Sequence, residues 1–148
     1  MNDWITDNHI NFFMELFNIR DSYMLIDDHS SNEQGSYFCS TYFVEQLMGR
    51  NFDKYDFDKV DPTKKKFFPN GKSPLKFTRI FIPVYNNGIH WSHVVVDLRR
   101  FSVTHYDSGR EYNSNSAKIV RGISKFLYAC DKSKTMFAES KLELIQSH

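Results

Sequence analysis

Apolar residues near the start of the chain fall at Ile10, Phe13, Met14 and Phe17, the i, i+3, i+4, i+7 spacing of one helix face. Thr6 or Asp7 can cap such a helix, and Asn18 and Asp21 suit its exit. A stretch rich in Ser, Asp, Asn and Gly, from Asp27 to Ser36, then predicts a loop. A second helix is expected around Ser40 to Met48, closed by Gly49, with Phe43, Val44, Leu47 and Met48 on its apolar face. Between Asn51 and Pro74, the anchoring aromatics Phe52, Tyr55, Phe57, Phe67 and Phe68 alternate with Pro62, Pro69, Gly71 and Pro74. Those breakers allow a short helix followed by an irregular connection.

The period then shortens. Phe77 to Tyr85 is β-rich, Asn86-Asn87-Gly88 is a turn signal, and His90 to Leu98 is rich in Val. Arg99-Arg100 makes a second turn, and Phe101 to Asp107 alternates again. Together these predict a three-stranded antiparallel meander. From Asn115 a further helix carries Ile119, Ile123, Phe126 and Leu127 on one face with Cys130 near its end, and Leu142 to Ile145 suits a last strand. The order of helices, meander, helix and strand reads as an α+β fold.

The 148 residues make one domain, 1–148, with neither an internal repeat nor a low-complexity tract. A hydrophobic fraction of 41% with 14 Phe, 8 Tyr and 2 Trp marks a folded chain. The 19 basic and 18 acidic residues leave a net charge of +1, which provides no footprint for nucleic acid or an anionic membrane. Lys64-Lys65-Lys66, with Lys72 and Lys76, reads as a solvated loop. The two cysteines, Cys39 and Cys130, form no disulfide framework, and neither a secretory core nor an 18-residue apolar run is present. A reducing intracellular compartment, nucleus or cytoplasm, is the simplest expectation.

Strand register turns the meander into a candidate site. With Arg99 and Arg100 as central turn residues, Leu98 opposes Phe101, Val96 opposes Val103, Val94 opposes His105, and Ser92 opposes Asp107. His90 then shares a face with Ser92, one diagonal step from Asp107. Diagonal neighbours lie roughly 7–8 Å apart at the backbone, which lets a His–Asp hydrogen bond form. Such a pair is the orienting half of a nucleophile–base–acid triad, and it is equally the geometry of a structural contact. A turn of odd length would send His90 to the opposite face. His90 and His93 form an H-x-x-H string, but residues three apart on a strand point to opposite faces, and no Cys pair or carboxylate cluster completes a ligand set. No metal and no cofactor are expected. His105 belongs to the Asp107 side of its strand, as core or rim, whereas His9 and His29 read as solvated.

Several blocks together carry a resemblance. Trp4-Ile5-Thr6-Asp7 followed by Ile10-Asn11-Phe12-Phe13 resembles the W-L-x-D…I-x-x-F-F opening of the SUMO/sentrin-specific (ubiquitin-like-protein-specific) cysteine proteases. Phe81-Ile82-Pro83-Val84-Tyr85-Asn86, His90-Trp91 and Val94-Val95-Val96-Asp97-Leu98 are similar to that family's I-F-x-P-I-N…H-W…I-I-D-L block. Tyr106-Asp107-Ser108 matches its Y-D-S segment, and Leu142-Glu143-Leu144-Ile145 looks like the strand before its catalytic cysteine motif. The resemblance implies a papain-like (adenain-like) α+β fold with N-terminal helices and an antiparallel sheet. It further implies a cysteine peptidase that cuts after a C-terminal Gly-Gly, with a SUMO-type ubiquitin-like protein or its conjugates as partner. His90 would be the general base and Asp107 its orienting carboxylate. Trp4 and Trp91 would wall a tunnel narrow enough to admit only residues without Cβ; Trp4 could equally anchor the helix start on Phe13.

The family's pre-cysteine strand leads into a P-Q-Q-x-N-x-x-D-C-G motif that these 148 residues do not contain. Cys39 and Cys130 lack its following Gly and read as small buried hydrophobes. The expectation is therefore a protease domain incomplete at its C-terminus, inactive by itself, with the inner meander face at Val94 and Val96 short of a packing partner. Such a chain would be marginally stable or dependent on a second polypeptide. The alternatives are a non-catalytic ubiquitin-like-protein-binding module and a degenerate gene fragment.

Overall fold

A computed structural model describes residues 5–27, 35–69, 73–86, 88, 90–109, 115–131 and 143–147, with side chains undescribed at 23–27 and 143–147. The elements are α1 (Asp7–Asp27), β1 (Ser36–Phe38), α2 (Tyr42–Met48), β2 (Arg79–Asn86), β3 (His90–Asp97), β4 (Ser102–Tyr106), α3 (Ser116–Cys130) and β5 (Glu143–Ser147). Single 3₁₀ turns at Phe57–Lys59, Pro62–Lys64 and Pro74–Lys76 break up the proline-rich connection where one short helix was expected. The strands form one sheet in the order β1-β2-β3-β4-β5. Its centre is the antiparallel meander, but β1 joins β2 and β5 joins β4 in parallel, so the sheet is mixed and not antiparallel throughout. Both parallel pairs follow from crossovers, since a strand that returns after a helix arrives running the same way.

The β3–β4 register matches the expectation, with Val96 opposite Val103 and Val94 opposite His105. Asp97 secures it. Its Oδ1 accepts from the backbone N–H of Arg99 (3.1 Å) and Arg100 (3.2 Å), so the side chain builds a turn that neither arginine favours. At the other hairpin Asn86 faces His90 across a connection that contains Gly88 at φ +72°, a conformation glycine adopts without steric cost.

The alternation of β2, β3 and β4 sends Ile80, Ile82, Val84, Val94, Val96 and Val103 to one face, where all are buried. Val94 (0% exposed) and Val96 (1%) do not lack a packing partner. They belong to the same core as Ile119, Val120, Ile123, Phe126 and Leu127 of α3, and α2 adds Phe43, Val44, Leu47 and Met48. Each such side chain contributes about 1.5–3 kcal/mol on burial. The aromatics of the irregular connection seal the end of this core: Phe68 stacks on Phe126, and Phe43 meets Phe67, Phe68 and Phe126 edge-on. Lys64, Lys65 and Lys66 are exposed, while Lys72 lies outside the described residues.

Helix α1 departs from its expected form. It runs through Asn18 and Asp21 to Asp27, and Phe13 is 52% exposed. The helix is apolar on both sides, because Phe12, Leu16 and Ile19 oppose Ile10, Met14 and Phe17. Hydrogen bonds therefore select the docked side. Asn18 takes the Phe38 N–H and gives its amide to the Phe38 carbonyl, both at 2.8 Å, acting as a neighbouring strand for the edge of β1. Asn11 does the same at Thr41, accepting from its N–H (2.8 Å) and donating to its Oγ1 (3.0 Å). Phe12, Phe13, Leu16 and Ile19 are left on the exposed side.

Gly122 lets α3 approach α2: a methyl group there would overlap the Met48 sulfur and sit 3.0 Å from its Cγ. Met48 is 1% exposed and has little room to yield. Gly122→Ala should therefore cost about 1–3 kcal/mol of stability by overpacking, despite a helix-propensity gain of about 1 kcal/mol. Urea unfolding checks this. Adding Met48→Ala should recover part of the loss, giving a non-additive double-mutant cycle.

Candidate active site

His90 is the first residue of β3 and Asp107 follows the last residue of β4, so the meander brings both to one end of the sheet. His90 Nε2 lies 2.5 Å from Asp107 Oδ1, and the carboxylate side chain is 2% exposed against 20% for the imidazole. Asp107 Oδ1 also accepts the Gly109 N–H at 2.8 Å. With Nε2–H donating to a carboxylate, the neutral ring carries its lone pair on Nδ1. Nδ1 is then the nitrogen that would exchange a proton with a reacting group, and the buried carboxylate would stabilise the imidazolium so formed. The diagonal placement argued from register is realised.

Trp91 points to the opposite face. Its ring stacks on Tyr85 with centroids 4.5 Å apart, and its indole N–H donates to the Ile5 carbonyl at 3.1 Å. The strand carrying His90 is thereby tied to the chain just before α1. Trp91, Tyr85 and Gly88 share a groove of about 1040 Å³ with Thr6, Asp7 and Tyr42, and Tyr42 donates its hydroxyl to Asp7 at 2.7 Å. Trp4 lies outside the described residues. His93, on the Trp91 side, stacks on Tyr106 at 5.1 Å, so the two histidines of the H-x-x-H string face apart. Among the described residues no three His, Cys, Asp or Glu side chains gather as metal ligands. His9 is exposed and meets the Thr6 hydroxyl at 2.8 Å; His29 is outside the described residues.

Neither thiol is placed for nucleophilic attack. Cys39 is fully buried, which pushes its pKa far above that of a reactive thiol. Its N–H bonds the Phe81 carbonyl (2.8 Å), five residues along β2 from the Asn86 that pairs with His90. Five strand residues span roughly 17 Å. Cys130 ends α3, fourteen residues and roughly 21 Å along the helix from Ser116.

The family's sequence profile, described as the Ulp1 protease family, C-terminal catalytic domain, matches residues 3–144. The chain belongs to the Ulp1 protease family. Solved structures agree on the fold. The SUMO protease Ulp1 with its catalytic cysteine oxidised to a sulfonic acid is 23% identical, with a TM-score of 0.69, covering 99% of this chain and 57% of that one. The Ulp1 protease domain in complex with Smt3, the yeast orthologue of SUMO, is 20% identical with a TM-score of 0.65, covering 97% and 56%. The Chaetomium thermophilum Ulp1-like SUMO protease catalytic domain is 19% identical with a TM-score of 0.63, covering 97% and 51%. The chain thus spans little more than half the length of these Ulp1-type domains. No curated protein matches it closely in sequence.

Beneath the pair lies a group that periodicity alone did not single out. His105 is 1% exposed and sits between two hydroxyls, with Nε2 2.8 Å from Ser92 Oγ and Nδ1 2.8 Å from Ser116 Oγ. Asn86 Nδ2 donates to the same Ser92 Oγ at 2.9 Å. The signal was a serine at an inward position of a valine-rich strand, opposite a histidine-bearing one. Burial pushes the His105 pKa down; Asp107 pulls it up, and His93 and His90 push it further down. Its folded pKa is thus below the unfolded value near 6.5. The native state then binds fewer protons than the unfolded chain, so stability is full above about pH 6.5 and falls as pH drops towards the folded pKa. Urea midpoints between pH 7.5 and 5 should show this decline. His105→Gln, less stable at neutral pH, should show a flatter decline; an unchanged slope would assign the acid sensitivity elsewhere.

Proposed function

We propose that this chain is the base-bearing part of a ubiquitin-like-protein protease domain of SUMO type, which cuts after a C-terminal Gly-Gly. The observation that carries the reading is the 2.5 Å contact of His90 Nε2 with Asp107, at the strand ends of a Ulp1-family domain. In the reaction a cysteine thiol gives its proton to His90 Nδ1, and the thiolate attacks the carbonyl carbon of the terminal glycine. The imidazolium, held by Asp107, returns that proton to the leaving amine as the C–N bond breaks. Water, deprotonated by the same nitrogen, then hydrolyses the thioester and frees the thiol. Trp91, braced between Tyr85 and the Ile5 carbonyl, suits one wall of a slot for residues without Cβ, and Trp4 is proposed for the other.

Two observations support a further polypeptide segment as the source of the thiol. Asp107 Oδ2 and Asn86 Oδ1 are buried and accept no hydrogen bond among the described residues. Unpaired buried acceptors of this kind cost about 1–3 kcal/mol each until a donor arrives. The exposed Phe12, Phe13, Leu16 and Ile19 of α1 form the sort of apolar patch that a packed neighbour covers. The remainder of a Ulp1-type domain fits both.

A second reading, a binding module for a ubiquitin-like protein without cleavage, is favoured by the remoteness of Cys39 and Cys130 from His90. A fluorogenic SUMO C-terminal substrate separates the two. Residues 1–148 alone should give no turnover. Combined with a cysteine-bearing C-terminal segment of a Ulp1-family domain, they should give turnover abolished by alkylation and lowered about 10²–10⁴-fold by His90→Ala. Turnover by the chain alone that resists alkylation would overturn the protease reading. SUMO binding weakened by Trp91→Ala, with no turnover in the combined assay, would favour the binding module.

A further inference from the structure

We propose that His105 is a positioning residue, clasped between Ser92 and Ser116, that sets Asp107 against His90. The inference rests on the His90–Asp107 reading of the site and deepens it. Paired residues of β3 and β4 end at His93 and Tyr106. Asp107 lies one residue beyond that end, and His90 three residues beyond it on the other strand. No β3–β4 ladder bond therefore fixes the spacing on which the 2.5 Å contact depends.

Side chains take over where the ladder stops. His105 lies on the inward face of β4, two residues before Asp107. Its ring reaches forward to Ser92 on β3 and back to Ser116, the first residue of α3. Ser92 also holds Asn86, and Asn86 is the β2 residue paired with His90. One run of hydrogen bonds, Asn86–Ser92–His105–Ser116, thus crosses β2, β3, β4 and α3 beneath the pair. Its exposures are 0%, 7%, 1% and 6%, so no solvent competes for these bonds.

A neutral imidazole, with one N–H and one lone pair, completes the run. Ser92 Oγ receives the Asn86 amide, gives its own proton to His105 Nε2, and His105 Nδ1–H passes on to Ser116 Oγ. With the ring tautomer reversed, Ser116 would donate to His105 Nδ1, and Ser92 Oγ would accept from both Asn86 and the Nε2–H. In either direction each link is a buried bond whose loss leaves a partner unpaired. Displacing Asp107 by about 1 Å would matter, since misplacement on that scale can cost about 10²-fold in rate.

The test reads His90 directly in residues 1–148, with no nucleophile needed. In the ¹⁵N-histidine spectrum the Nε2–H proton shared with Asp107 should resonate far downfield of an ordinary imidazole N–H. Ser116→Ala, which deletes one hydroxyl from the far end of the clasp, should move that resonance upfield or broaden it, and Ser116→Thr should restore it. Should Ser116→Ala fail to fold, Ser92→Thr, which keeps the hydroxyl on a stiffer side chain, gives a milder perturbation with the same expected direction. In the combined protease assay, Ser116→Ala should lower kcat about tenfold and leave KM unchanged. A His90 resonance unchanged in a folded Ser116→Ala chain, or absent from the parent chain, would overturn the proposal. Absence of turnover in the combined assay would count against the protease reading alone, because the spectrum reports the pair without catalysis.

Discussion

The pairing of β3 with β4, Val96 against Val103, is the constraint on which the rest of the molecule depends. A strand's side chains alternate with period two, so a slip of one residue would exchange every inward and outward position. Val94 and Val96 would face solvent, and His90 would lose Asp107. The apolar face gives this register its energy: three valines and the α3 residues that meet them are buried in the observed register and exposed in the slipped one. The same force that builds the core thereby places the polar pair at its rim. A slip of register cannot misplace the pair without unpacking the domain.

Packing sets the register, but short polar side chains set the details that packing leaves open. Asp97 builds the turn after β3 by taking two backbone N–H groups, and without it Arg99-Arg100 would have little reason to reverse the chain. Asn18 plays the matching role for β1, a three-residue strand whose ladder neighbour among the described residues is β2 alone. Helix α1, apolar on both sides, could dock either face by hydrophobicity alone. Two asparagines on one side, aimed at Phe38 and Thr41, break that symmetry.

These two levels also explain what could be read along the chain. The meander, its register, α2 and α3 were legible because each is amphipathic with a single period, so pattern and burial coincide. The His90–Asp107 contact followed from the same arithmetic. The orientation and length of α1 were not legible, since Phe12 and Phe13 are equally apolar and Asn18 looks like a stop signal when its partner strand is unknown. The expected shortfall of packing at Val94 and Val96 did not materialise, because the face that α3 covers extends across both. The exposed apolar surface lies on α1 instead. The parallel edge strands depend on crossovers, which no local period encodes. The His105 clasp escaped notice because hydrogen bonds among Ser, His and Asn leave no hydrophobic signature.

The placement of the two thiols bears most directly on chemistry. A cysteine becomes a nucleophile where the thiolate is stabilised and a base can take its proton. Cys39 has the opposite surroundings: full burial among apolar side chains favours the protonated form, and the intervening length of β2 separates it from His90. Cys130 is carried away by the full length of α3. The His90–Asp107 pair, by contrast, has a defined tautomer, a buried carboxylate and a partly open ring. Holding a carboxylate almost wholly out of solvent costs free energy unless its bonds are made. Here one oxygen is satisfied by His90 and Gly109, while the other lies buried without a partner among the described residues, as does the Asn86 side-chain carbonyl. An arrangement this polar at the end of an otherwise apolar face adds nothing to packing.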